Sequence, residues 1–392
     1  TFADSLGEYF NAILKISIQF LLFLDLVLSI KPTIKLCFFI ARLSKLLLMK
    51  VKIKNTKIGY GYPPVIIAEI SGNHNGSKQR FLQLIKSACI NGADLIKIQT
   101  YEPEDITLRG KTKHFFIKSG IWKNQHLWSL YKKACTPFAW HKDAFNIAKK
   151  YKKIIFSSPF SLRAVDLLEN FNCQLYKIAS FEITDLKLIN YIASKKKPII
   201  ISTGMASSKE INNAINEIKK YHKKIIIMHC VSSYPTELKD INLKKIEKLK
   251  RDYKNCLIGL SDHTNDIISS IASIPFGVVA IEKHFTLNNK IKTVDSKFSI
   301  TPNQLKKLKI DTHNLHKSFL NDKVNVERIS KNLRRSIFAK KDIRKNEKLS
   351  RENIETFRPH IGICASKYFK ILKKRTKRNI KSGEPIYKSM IK

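Results

Sequence analysis

Eight short apolar runs, spread over residues 65–285, constrain what this chain can fold into. They are 65–71 (VIIAEIS), 94–100 (DLIKIQT), 154–160 (IIFSSPF), 175–180 (LYKIAS), 198–203 (PIIIST), 225–230 (IIIMHC), 258–263 (IGLSDH) and 278–285 (VVAIEKHF). Runs this short and this rich in Ile and Val read as strands buried on both faces, as in a parallel sheet. Most gaps between them carry a helical pattern, such as Ala164-Leu167-Leu168 or Ile211-Ala214-Ile215-Ile218. Residues 65–101 show the repeating unit. A run is followed by the polar turn Asn73-His74-Asn75-Gly76, then by Phe81, Leu84, Ile85 and Ala88 at helical spacing. Asn91-Gly92 stops the helix before the second run. Eight strands alternating with helices predict an α/β fold, a (β/α)8 TIM barrel. A doubly wound open sheet is the alternative, but it has fewer strands and a Gly-rich first turn, which is absent here.

The flanks differ from this repeat. The longest insertion, 101–150, follows the second run, contains Trp122, Trp128 and Trp140, and is expected to cap one end of the barrel. The barrel domain is expected over 49–302, a charged helical linker over 303–333, and a small domain of short strands and turns over 334–392. Residues 1–48 form an apolar extension with runs at 16–30, interrupted by Asp25, and at 34–40. Neither run reaches the roughly 20 residues of a spanning helix. Met49 stands just before the first globular segment and is expected to be the native start, with 1–48 not native; a membrane anchor is the alternative.

Lys and Arg number 73 against 31 Asp and Glu, a formal charge of +42. Such an excess suits nucleic acid or an anionic membrane surface, and binding of that kind is one alternative function. The lysines are spread along the whole chain, however, and no RNP motif, zinc finger or basic zipper accompanies them. The reading is therefore no nucleic acid, no membrane role and an anionic substrate. The seven cysteines are scattered and form no CxxC pair, which fits a reducing, cytoplasmic setting without a disulfide framework.

In a TIM barrel the reactive groups sit at the C-terminal strand ends, and polar residues collect there in all eight runs. Residues two apart on a strand share a face, so Lys97 and Gln99 point together, toward Glu69 if the sheet closes. Lys97 and Lys177 lie inside runs, where an ammonium needs an anion to meet it. With Ser158, Ser180, Ser202 and Ser261 they would cradle a phosphate and a carboxylate. Alternatively they pair with Glu69 and Glu282, or one of them forms a Schiff base as in a barrel aldolase. His263 and His284 end adjacent strands and would suit a divalent transition metal such as Mn²⁺, or each is a hydrogen-bonded rim residue. His229 and His74 are weaker candidates, one inside a run and one in a turn.

The segments IAEISGNHNG, GADLIKIQTY, SSPF, YKIAS, STGM, GLSDHT and EKHFT, in this order, resemble the sialic acid synthase family. The C-terminal segment resembles that family's antifreeze-like (SAF) domain. SFEITDL (180–186), VDSKFS (294–299) and RPHIGICASKY (358–368) resemble the branch that makes pseudaminic acid. The resemblance covers about 52–392. It implies a transferase that condenses phosphoenolpyruvate with an amino sugar, here a 2,4-diacetamido-2,4,6-trideoxyhexose, to give a nine-carbon acidic sugar and phosphate. N-acetylneuraminate or legionaminate synthesis is the alternative within the family. It further implies that His263 and His284 hold Mn²⁺, with Mg²⁺ or Co²⁺ able to replace it. Lys97, Ser158, Lys177, Ser180, Ser202 and Ser261 would hold phosphoenolpyruvate. Glu69, Gln99, Tyr234, Glu282 and Asp295 would face the sugar, with Glu69 and Asp295 catalytic alongside the histidines. Arg358 would reach the site of the partner subunit in a domain-swapped homodimer. Ser232, the loop 288–293 and His360 depart from the family pattern.

Overall fold

The computed structural model describes residues 49–319, 327 and 330–392, so the expectations for 1–48 lie outside the described residues. Two compact units divide between Ser318 and Phe319. Among the described residues the first begins with an antiparallel hairpin, β1 (Lys50–Ile53) and β2 (Thr56–Gly59), which the sequence reading missed. Its alternation is legible in hindsight, because Val51, Ile53 and Ile58 join the barrel core while the lysines between them stay in water.

The expected barrel follows. Its strands are β3 (Val65–Glu69), β4 (Leu95–Thr100), β5 (Ile154–Pro159), β6 (Tyr176–Ile178), β7 (Ile199–Ser202), β8 (Ile225–His229), β9 (Leu257–Asp262) and β10 (Ala280–His284). Each pairs in parallel with the next, and β10 closes on β3. One strand coincides with each apolar run to within a residue or two, and nearly every strand residue is buried. The helix Lys78–Ile90 shows why the intervening segments fold as they do. The Ser77 side chain accepts from Arg80 N, Phe81, Leu84, Ile85 and Ala88 bury one stripe, and Gly92 turns the chain at φ +105°.

The expected linker begins instead as a helix of this same unit, Pro302–Ser318. Leu305 and Leu308 are fully buried in the barrel core, and Thr312 lies on the same stripe. Three and four residues separate them, a helical spacing that the flanking lysines obscure. The second unit pairs β11 (Ser336–Ala339) with β12 (Ile354–Phe357) and has its own core around Ile337, Ile354, Ile380 and Ile386. It is the small domain of short strands and turns expected from 334 onward.

Candidate active site at the strand ends

The register brings the polar strand ends together. Glu69 lies opposite Lys97 on one side and His284 on the other, Gln99 opposite Ser158, and Ser261 opposite Glu282. Lys97 Nζ stands 2.8 Å from Glu69 Oε2 and 3.2 Å from Glu282 Oε1. Lys177 Nζ donates to the same Glu282 oxygen at 2.5 Å, and the Ser261 hydroxyl donates to it at 3.2 Å. Gln99 Nε2 donates to Glu69 Oε1 and to Ser71 Oγ, each at 3.1 Å. The lysine–glutamate pairing allowed by the sequence is therefore present, and it forms the centre of one buried polar cluster.

The loop after β10 adds Asp295. Its Oδ2 accepts from Gly72 N at 3.2 Å and lies 3.7 Å from His284 Nδ1. Asn73, in the turn after β3, holds this loop by donating to the Phe285 carbonyl and to Ser299 Oγ. His263 and His284 face each other with ring centroids 5.4 Å apart, and Tyr234 packs 4.5 Å from His263. Trp122 from the long insertion packs on Tyr234 and Phe298, so part of the insertion does reach this end. Trp140 lies elsewhere, against His74 and Phe81, and Trp128 stacks under Arg109.

Burial and charge set the protonation states. Burial pushes Glu69 up to about 7, with Lys97 opposing. Burial would also raise Glu282, but Lys177 and Lys97 hold it well below the usual carboxylate range. Burial lowers His263 to about 4 and His284 further, so both imidazoles are neutral at pH 7. His263 Nδ1 lies 2.9 Å from the Val231 carbonyl and donates to it, which leaves Nε2 as the lone-pair nitrogen. Burial raises Asp295 as well.

Several groups wait for partners. Ser158 Oγ, Ser202 Oγ, Glu282 Oε2 and His284 Nδ1 are buried with no hydrogen-bond partner among the described residues. Such atoms are rare in native proteins unless a ligand or water completes them. Ser180 Oγ meets Ser232 Oγ at 3.0 Å. Gly204 makes that approach feasible: its φ is +44°, and a Cβ there would lie 2.4 Å from Ser232 Oγ. The cluster can hold an anion with two ammonium groups and several hydroxyls, and Glu69 can exchange a proton near neutral pH.

Two candidate histidines fall outside it. His229 Nε2 bonds the Ile241 carbonyl at 2.7 Å, away from the cluster. His74 is wedged between Phe81 and Trp140 and is bonded through both ring nitrogens. Arg358 lies in the second unit, exposed, just before Pro359. Glu182 was missed. Its Oε2 is buried and without a partner among the described residues, and burial raises its carboxyl to about 7, opposed in part by Lys97. It stands two residues past Ser180, beyond the apolar run, where strand patterning carries no signal.

A model of the NeuB family matches residues 84–323, and one of the SAF domain matches 334–392. The chain belongs to the NeuB family. It is 40% identical to the pseudaminic acid synthase of Campylobacter jejuni over 82% of this chain and 94% of that protein. The pseudaminic acid synthase of Helicobacter pylori is 39% identical over 83% of this chain and 96% of its own length. Among solved structures, the N-acetylneuraminic acid synthetase of Leptospira borgpetersenii in complex with citrate is 30% identical with a TM-score of 0.65. That match covers 72% of this chain and 95% of the other. The two matched models coincide with the barrel and the C-terminal SAF domain expected from the motifs. Among the described residues no helix is long and apolar enough to cross a membrane.

Proposed function

We propose that this protein is a pseudaminic acid synthase. It joins C3 of phosphoenolpyruvate to the aldehyde carbon of a 2,4-diacetamido-2,4,6-trideoxyhexose, while water adds at C2 and phosphate leaves. One observation carries the reading: Lys97 and Lys177 share a buried carboxylate beside partnerless serine hydroxyls and an acid that titrates near 7, in a NeuB chain.

Lys97, Lys177, Ser158, Ser180, Ser202 and Ser261 bind the phosphate and carboxylate of phosphoenolpyruvate. Their ammonium groups neutralise its charge and their hydroxyls donate hydrogen bonds to it, in a buried site where such contacts are strong. Gln99, Tyr234, Glu282 and Asp295 orient the sugar, and Glu69 moves the proton. His263 and His284 hold a divalent cation, Mn²⁺ first, with Mg²⁺ or Co²⁺ as substitutes. The fit rests on two neutral imidazoles, one with Nε2 as its lone-pair nitrogen and one with a partnerless Nδ1. No group of three His, Cys, Asp or Glu ligands gathers among the described residues, so water or substrate oxygens would complete the coordination. Such a cation supplies Lewis acidity toward the sugar carbonyl. The working form in this reading is a homodimer in which Arg358 of one subunit serves the site of the other. A cytoplasmic setting agrees with the six described cysteines, all free.

The test is incubation with phosphoenolpyruvate labelled at its bridging oxygen, Mn²⁺ and a panel of hexosamine-type sugars, with products identified by mass and NMR. The expected outcome is pseudaminic acid, with the label in phosphate. Label retained in the sugar, or pyruvate trapped by borohydride on Lys97 or Lys177, would overturn the reaction class. A different nonulosonic acid would overturn the sugar assignment.

A further inference from the structure

A second buried charged group lies directly behind the two histidines, and the reaction above does not touch it. Strand side chains alternate between faces, so the residues between Ser261 and His263, and between Glu282 and His284, point away from the lumen. These are Asp262 and Lys283, both 0% exposed. Lys283 Nζ lies 3.4 Å from Asp262 Oδ2 and donates to the carbonyls of Thr264 at 2.6 Å and Asp266 at 2.9 Å. Asp262 Oδ1 accepts from Thr264 N at 2.8 Å, and its Oδ2 accepts from the hydroxyls of Ser269 at 2.7 Å and Ser270 at 2.5 Å.

Apart from the ion pair itself, every one of these bonds ends on residues 264–270, the turn that leaves His263 and the start of the helix Ile268–Ala272. The carbonyl of His263 also accepts from Thr236 N at 3.0 Å, and its ring is held by Val231. Hydrophobic residues would fill the same space without the desolvation cost of two buried charges. What apolar side chains cannot supply is a fixed set of hydrogen bonds to one turn.

We propose that Lys283 and Asp262 are positioning residues: by locking the turn at 264–266, they aim His263 into the lumen as a cation ligand. The proposal rests on the metal-holding reading given above. Lys283 sits one residue before His284, so one ammonium ties the strand of one histidine to the turn of the other.

Calorimetric titration of Mn²⁺ into metal-free wild type, Lys283→Met and Asp262→Asn tests the proposal, with phosphoenolpyruvate affinity and melting temperature measured alongside. Removing a partner bonded directly to a metal ligand weakens metal affinity by about 10- to 100-fold, and Lys283→Met, which acts through the turn and not on the imidazole, is expected to lose about 10-fold. Phosphoenolpyruvate affinity should hold, because its binding lysines and serines lie on the other face of the strands. Asp262→Asn keeps the shape and the ammonium's bonds to the turn, so it should fold and lose Mn²⁺ affinity by a smaller factor. If Lys283→Met does not fold, Asp262→Asn decides. Mn²⁺ affinity unchanged in the folded variants, or falling together with phosphoenolpyruvate affinity by the same factor, overturns the positioning role. Wild type that binds no Mn²⁺ overturns the metal reading itself, and the positioning role falls with it.

Discussion

Replacing Glu69 with Gln should make the barrel increasingly stable relative to wild type as pH rises, while removing activity. Glu69 is fully buried, and burial lifts its carboxyl from an ordinary 4.5 to about 7 despite Lys97 beside it. The folded state therefore holds this proton more tightly than the unfolded chain does. Its stabilising effect is complete below about pH 4.5 and is lost as pH rises through 7. At about 1.4 kcal/mol per pKa unit, the loss comes to about 3 kcal/mol above pH 7. Glu69→Gln removes the titration and can keep the bond with Gln99, provided one amide turns over. Whatever constant offset the substitution adds, the stability difference between variant and wild type should grow by about 3 kcal/mol between pH 4.5 and pH 8. Urea unfolding followed by tryptophan fluorescence measures it, since Trp122, Trp128 and Trp140 all lie in the barrel unit. Product formation should fall by about 10²- to 10⁴-fold, the usual worth of a general acid–base group. A stability difference that stays flat across this pH range would refute the raised Glu69 carboxyl and the proton-transfer role that depends on it.

Two further outcomes follow from the site. Exhaustive chelation should abolish turnover and added Mn²⁺ should restore it, whereas full activity in His263→Ala/His284→Ala would exclude a metal role for these residues. Under the proposed exchange of Arg358 between subunits, mixing Arg358→Ala chains with His263→Ala chains should recover part of the activity lost by each alone, because a hybrid dimer would contain one intact site. Hybrid dimers that form and stay inactive would count against an exchange of Arg358 between subunits.

The eight strands and the polar character of their ends were legible in the sequence because strand burial and period-2 alternation are local properties. Lys97 and Gln99 had to share a face, and Asp262 and Lys283 had to point opposite to Ser261 and Glu282, whatever the rest of the chain did. Other features needed distant partners. The hairpin β1–β2, and the packing of the expected helix Pro302–Ser318 onto the barrel, declare themselves only by what they bury, since their lysines mask the apolar stripe. His74 and Trp140 looked like turn and cap residues until packing put them against Phe81. The protonation of the site is the plainest case. Glu69 and Glu282 are both glutamates at strand ends, yet one is lifted toward neutrality and the other held ionised. Lys97 reaches both, while Lys177 comes within hydrogen-bonding distance of Glu282 alone, across 105 residues of sequence. Desolvation and charge pairing depend on which groups meet in space, and barrel closure, not local pattern, decides that.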